Sequence, residues 1–351
     1  MPARPKERPT FLARLRDRVA SAIAHRRAFD LGPDTDVLRL VHDAADELPG
    51  LVVDAYGPVA RVEMYDRRYR EGLLDIAEEI RALWPGIEAV VGLERKERGQ
   101  AEVIPVLGTT PLGHVVHEEG WRFFVRTREP EAAGTGIFVD QREGRRLVRQ
   151  AARGRPVLNL FAHAGAFGVA ALAGDARRID HVDAAKKCAP WAALNLALNG
   201  GDPREHRFLV DDAFKILRRV ARREPAYGVV VCDPPTTAIA PGGKRFVARD
   251  ALPSLAEQSC RALLEGGALL LSTNDRSLTV DDMAAAAEEG AHRAGRKVAS
   301  LVEVPLGPDL PPHEDPRVRP MRGVWMRLDA RDAHHTAGAA RFEGEQGGVE
   351  C

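Results

Sequence analysis

The sequence predicts an α/β protein, with a seven-stranded doubly wound domain preceded by a small α+β domain. Three observations predict it. From Pro156 onward, short apolar runs alternate with segments of helical period, the pattern of consecutive βαβ units. The stretch Pro156 to Asp183, PVLNLFAHAGAFGVAALAGDARRIDHVD, passes from strand to tight loop to helix to a second strand ending in an acid. Before residue 129 the strands instead group around one helix, so that part is a separate unit.

Composition narrows the function classes. The chain has 351 residues, enough for two ordinary domains. Lys and Arg number 51 and Asp and Glu 51, so bulk charge attracts no polyanion and any nucleic-acid affinity must come from local patches. Cys188, Cys232, Cys260 and Cys351 lie far apart without a C-x-x-C pair, which speaks against a zinc site or a disulfide framework and fits a reducing cytoplasm. No apolar run approaches the roughly 20 residues of a membrane span. Neither a metal nor a membrane is expected as a partner, and a homodimer is left open.

Residues 1–30 are expected to be a basic arm. Its first ten residues are charged and rich in proline. From Phe11, the residues Leu12, Leu15, Val19 and Ile23 fall at helical spacing, with Arg14, Arg16 and Arg18 on the other faces. Such a helix either docks on its own protein or contacts phosphates. In the small domain, residues 31–128, strands are expected at Val37 to His42, Leu51 to Val53, Val59 to Met64 and Ile87 to Leu93. A helix from Tyr69 to Trp84 ends at Pro85-Gly86. Gly113 to His117 and Trp121 to Val125 flank Glu118-Glu119-Gly120, a hairpin signature.

The main domain, residues 129–330, opens with the linking segment Gly136 to Arg142 and a helix from Glu143 to Arg153. Its seven strands begin at Val157, Ile179, Arg207, Gly228, Ala268, Lys297 and Gly323. The proline-rich segment from Pro305 to Arg322 has no helical period, so the seventh strand should run antiparallel to the sixth. Residues 331–351, rich in Gly, Ala and Glu, are expected to be a flexible tail.

The loop after the first main-domain strand selects the ligand. A dinucleotide site wants G-x-G-x-x-G, whereas only Gly165 and Gly168 are present. Asn159, Phe161, His163 and Gly165 make a roomier turn, suited to a nucleoside ligand without phosphates such as S-adenosylmethionine. Asp183 is placed to accept from ribose hydroxyls. Asp212 is placed to accept from an adenine amine, with Asp211 as its alternative and helix capping as the plain reading of either. The fourth strand ends at Asp233 and runs into Pro234-Pro235-Thr236, two prolines that stiffen the loop. Stiffness suits an in-line displacement, where holding the nucleophile at near-attack distance is most of the catalysis. A plain structural turn is the alternative.

Taken jointly, RLVHDAADELPGLVVDAYG, GIFVDQREGRR, VLNLFAHAGAFGVAALAG, WAALNLALNG, VVVCDPPT and EGGALLLSTNDRSL, spanning residues 39 to 277, carry a resemblance. They resemble the S-adenosylmethionine-dependent large-subunit ribosomal RNA methyltransferases, which include 5-methylcytosine and 7-methylguanine branches. The resemblance implies a Rossmann-like class I methyltransferase domain, S-adenosylmethionine as cofactor, ribosomal RNA as partner and the small domain as an RNA-binding unit. It implies a cofactor pocket of Gln141, Arg142, Asn159, Phe161, His163, Gly165, Asp183, Asp212 and Asp233, and a catalytic set of Asp233, Pro234, Pro235 and Asn274.

Two departures bear on the chemistry. The RNA-binding module of the pseudouridine-synthase-associated type that opens the 5-methylcytosine branch is expected to be absent, with the basic arm as its visible substitute. That branch also resembles a pattern with S-C-S after the fifth strand, where this chain has Ser272-Thr273-Asn274. Carbon 5 of cytosine takes a methyl group only after a thiolate has added to the ring, and Cys232, the nearest cysteine, lies in an apolar strand. Guanine N7 has an in-plane lone pair and needs only positioning. Methylation of an adenine amine would want an aromatic residue where Thr236 stands. Guanine N7 is the favoured acceptor. The alternatives are cytosine methylation through an atypical nucleophile and a catalytically silent RNA-binding or ribosome-assembly protein, while the missing G-x-G-x-x-G disfavours a nicotinamide oxidoreductase. Lys244 and Arg245, just beyond D-P-P-T, are expected to orient the RNA.

Overall fold

The amphipathic stretch after Phe11 forms α1 (Phe11–Arg27), which buries Leu15, Val19, Ala22 and Ile23. The computed structural model describes residues 11–29, 31–96, 100–128, 134–239 and 245–329. The first ten residues, Lys244 and the tail at 331–351 lie outside them, and of Arg245 only the backbone is described. Of the two readings of the basic helix, the docked one is seen. Its apolar stripe packs into the core of the small domain with Ile76, Ile80, Val53 and Val62. Arg16 pairs with Asp75 at 2.8 Å, Arg18 pairs with Glu47, and the fully buried Arg26 grips Asp46.

The small domain is a five-stranded sheet in the order β1 (Val37–His42), β2 (Leu51–Tyr56), β3 (Val59–Met64), β4 (Ala89–Arg95) and β5 (Ala101–Leu107). Only β3 and β4 pair in parallel, because α2 (Leu73–Leu83) carries the chain across between them. That helix starts later than the sequence suggested, since residues 67–70 form a 3-10 turn capped by Asp66. Strand β5 was not expected. Pro105 within it reads as a break, yet β5 is an edge strand, where a missing N–H costs no ladder bond. One face of the sheet lies under α1 and α2; the other carries Arg39, Asp54, Arg61, Glu63 and Tyr65.

A hairpin follows, β6 (His114–Glu118) and β7 (Trp121–Val125), turning through Glu119 and Gly120, both at positive φ. Val116 and Phe123 join one apolar cluster with Val37 and Tyr56 of the small sheet and Val157 and Ile179 of the main sheet. The hairpin therefore bonds the two sheets through a shared core.

The main domain contains a seven-stranded sheet in the order β10 (Arg207–Val210), β9 (Arg178–Asp183), β8 (Pro156–Leu160), β11 (Tyr227–Cys232), β14 (Leu263–Thr273), β16 (Arg322–Leu328) and β15 (Val298–Glu303). The last strand, β16, is antiparallel to both its neighbours. Helices α3 (Arg142–Ala152), α4 (Ala166–Ala173) and α5 (Cys188–Leu198) cover one face, and α6 (Ala213–Ala221), α7 (Ala248–Ala262) and α8 (Val280–Arg293) the other. A two-stranded ribbon, β12 (Thr237–Ile239) and β13 (Arg245–Val247), projects after β11. With helices on both faces, β8 and β11 are buried along their whole length and read as continuous apolar runs.

Charged side chains also tie the two sheets together. Arg142, 1% exposed, donates to Glu118 of β6, to Asp309 in the segment between β15 and β16, and to the Val37 carbonyl of β1. Arg145 takes both oxygens of Glu118 at 2.6 and 2.7 Å. The backbone N–H of Arg39 donates to the second Asp309 oxygen. These charges are paired and hydrogen-bonded throughout, which is the condition for burying them.

Candidate functional site

The site lies at the carboxyl ends of β8, β9, β11 and β14, where the strand order reverses. The loop after β8 is held in an unusual backbone. Phe161 (φ 55) and His163 (φ 47) are both left-handed, which few residues other than glycine adopt without cost. Asp183 at the end of β9 holds that shape: one oxygen accepts the His163 N–H at 2.9 Å and the other the Ala185 N–H at 2.8 Å. Beside it opens a small recess lined by Ala162, His163, Asp183, Cys188, Phe208 and Leu209. The Cys188 thiol is pushed up to about 12, first by burial and then by the adjacent Asp183 charge, so it is a neutral wall of the recess.

The glycines of this loop have a local explanation. Gly165 caps α4 at φ 79, and a Cβ there would stand 2.7 Å from the Ala192 Cβ. At Gly168 a Cβ would stand 2.0 Å from the His181 ring. His181 is buried, stacks on Phe208 at 5.0 Å and lies 3.3 Å from the Asn159 amide. Asn159 thus faces His181 across the sheet rather than the mouth of the loop, because at register it is the His181 partner on β8. Phe161 turns towards Phe246 of β13. Asp212 caps α6 by accepting from the Lys215 N–H, and Asp211 takes the Lys215 ammonium at 3.1 Å.

At the ends of β11 and β14, side chains from three segments meet. The Ser272 hydroxyl at the end of β14 donates to Asp233 at 2.8 Å, and the Gln141 amide reaches Ser272 at 3.2 Å. Burial pushes the Asp233 carboxyl up to about 6; Asp140 adds to the shift, while hydrogen bonds from Ser272 and Gln141 oppose it. The group is therefore mostly ionised at neutral pH and titrates just below it. The Thr236 hydroxyl donates to the Asn274 side chain at 2.8 Å, tying the D-P-P-T loop to the loop after β14. Pro234 is buried and Pro235 exposed. Cys232 has no exposure, and burial raises its thiol far above neutrality, so no thiolate forms there.

Of the residues expected at the site, Asp183, His163, Gln141, Asp233 and Asn274 gather along the strand ends, and Thr236 joins them through Asn274. Arg142 does not join them. Each of its three guanidinium nitrogens is held, by Glu118, Asp309 and Val37, because in the DQR sequence the helix α3 begins at Arg142 and aims it at the hairpin while Gln141 reaches Ser272. Ser272 is the residue whose part sequence reasoning did not see. Among the described residues no group of three or more His, Cys, Asp or Glu could hold a metal ion, and no helix is long and apolar enough to cross a membrane.

The family of S-adenosylmethionine-dependent methyltransferases matches the chain over residues 92–324. The ribosomal RNA large subunit methyltransferase K/L of Methylococcus capsulatus is 37% identical over 208 residues, covering 58% of this chain and 27% of that protein. The ribosomal RNA large subunit methyltransferase of Deinococcus radiodurans is 30% identical over 304 residues, covering 83% of this chain and 74% of that one. The chain thus spans about a quarter of the first relative and three quarters of the second. Among solved structures, a methyltransferase complexed with S-adenosylhomocysteine superposes with a TM-score of 0.81 at 23% identity, covering 92% of this chain and 83% of the other. That likeness concerns the fold.

Proposed function

The chain belongs to the S-adenosylmethionine-dependent methyltransferase family, and from that premise we propose that it methylates a base of large-subunit ribosomal RNA, with guanine N7 as the acceptor atom. The ribosomal RNA reading draws on the relatives named for that activity. The choice of atom rests on one observation: the acceptor side has a carboxylate held by Ser272 and Gln141 and no available thiolate.

The cofactor fits the residues present. The recess beside Asp183 lies at the strand ends between the carboxylate, His163, Phe208 and Leu209; it is water-sized, so it marks one edge of the nucleoside's place and not the whole cofactor's volume. Asp183, Phe208 and Leu209 would hold the nucleoside, and His163 and the loop the amino-acid end. S-adenosylmethionine supplies an electrophilic methyl group on a sulfonium. The chain's own residues need only place the N7 lone pair in line with it, since N7 carries no proton and no base is required. The Asp233 carboxylate then faces a purine that gains positive charge, which stabilises the transition state more than the ground state. The stiff Pro234-Pro235 turn and the Thr236 to Asn274 hydrogen bond fix the wall against which the base lies.

Cytosine methylation would require a thiolate, and Cys232 cannot supply one. The test is nucleoside mass spectrometry of ribosomal RNA from cells with and without the gene. Loss of a 7-methylguanosine is the expected result; loss of a 5-methylcytidine, or no difference, overturns the proposal.

A further inference from the structure

Tyr65 stands just past the end of β3 and is 53% exposed. It belongs to the sheet face opposite the small domain's core, so packing does not explain an aromatic ring there. Two guanidinium groups lie 5.8 Å from its ring centroid: Arg95 of β4 and Arg276 of the loop after β14. Both cations are held. Arg95 donates to Glu63 at 2.8 and 3.2 Å, and Glu63 also accepts from the Tyr65 hydroxyl at 3.3 Å. Arg276 donates to one oxygen of Asp43 at 2.8 Å, while the other Asp43 oxygen is fixed by the N–H groups of Ala44 and Gly50.

Their place matters as much as their geometry. Arg276 is two residues beyond Asn274, which takes the Thr236 hydroxyl of the D-P-P-T loop. The ring and its cations therefore border the mouth where the acceptor base would enter. A chain of zero net charge has to attract RNA through such local arrangements. Planar guanidinium groups both stack on bases and fork onto phosphates, and an exposed aromatic face accepts any base. Carboxylates that already fix the arginines reduce the ordering cost of binding.

We propose that Tyr65, flanked by Arg95 and Arg276, is a stacking station for a base of single-stranded RNA adjacent to the methylated nucleotide. It rests on the RNA methyltransferase reading above. The probes are a short single-stranded RNA of mixed sequence and a strand of the same length with abasic riboses, bound to the full chain at one fixed salt concentration. Tyr65→Ala should weaken binding of the RNA roughly 5- to 150-fold, the range for losing one base–aromatic stack. Tyr65→Phe should retain binding, and the abasic strand should bind wild type and Tyr65→Ala alike. An unchanged thermal midpoint and S-adenosylhomocysteine affinity show that the variant is folded. Unchanged RNA affinity in Tyr65→Ala, with a wild type that methylates RNA, overturns the station alone. An equal loss on the abasic strand overturns it too, since the contact would be to the backbone. If the wild type neither binds nor methylates RNA, the underlying reading fails and the station with it.

Discussion

The proposed cofactor and acceptor halves of the site are built by different means. On the cofactor side the loop after β8 is shaped by backbone: left-handed Phe161 and His163, a glycine cap at Gly165, and N–H groups donated to Asp183. On the acceptor side the shape comes from side chains that meet from distant segments, Gln141 with Ser272 and Ser272 with Asp233. A backbone-built site is local in sequence. A side-chain-built site is not, and it is the half where specificity can change without disturbing the fold.

The largest effect should come from a residue belonging to neither half. Arg142→Ala leaves Asp309 buried without its cationic partner and Glu118 with Arg145 alone, and should cost about 3–5 kcal/mol in denaturant unfolding while S-adenosylhomocysteine affinity of the folded fraction stays near wild type. A selective loss of cofactor affinity would return Arg142 to the pocket. On the cofactor side, Asp183→Ala frees two backbone N–H groups and the expected ribose contacts, so calorimetry should show binding weaker by about 1–3 kcal/mol.

On the acceptor side the sign is different. The folded carboxyl of Asp233 titrates at about 6, above its ordinary range, so whatever stability the protonated form contributes is lost as pH rises through that value. Asp233→Asn should therefore unfold at higher denaturant at pH 8, by about 1–3 kcal/mol, while turnover falls. A variant both less stable and fully active would sink the assignment. Ser272→Ala is a smaller change, roughly 1 kcal/mol for one hydrogen bond. Because Ser272 stabilises the ionised form, its removal should move the rise of kcat/KM with pH to higher pH. Smallest of all, Cys232→Ala should leave turnover unchanged, and RNA carrying 5-fluorocytidine should form no covalent adduct with wild type.

The contrast also explains what could be read from the chain. The seven main strands were legible because β8, β11 and β14 are apolar runs flanked by turns, and D-P-P at the end of β11 marks a site by backbone stiffness alone. The need for glycine at Gly168 was not legible, since the clash it avoids is with His181, thirteen residues further on and one strand away. The buried pairing of Arg142 was not legible because its partners Glu118 and Asp309 lie 24 and 167 residues distant, and no local pattern announces such a cluster. The same holds for Tyr65 and Arg276, whose meeting depends on how the small sheet sits on the main domain. Strand β5 was hidden by Pro105, which an edge position tolerates.

The central claim, an acceptor side that positions a nucleophile without making one, is tested most directly by incubating the purified chain with large-subunit RNA and methyl-labelled S-adenosylmethionine, then identifying the labelled nucleoside by mass spectrometry. The account predicts label in 7-methylguanosine, undiminished in Cys232→Ala. Label on carbon 5 of cytidine that disappears in Cys232→Ala would contradict it.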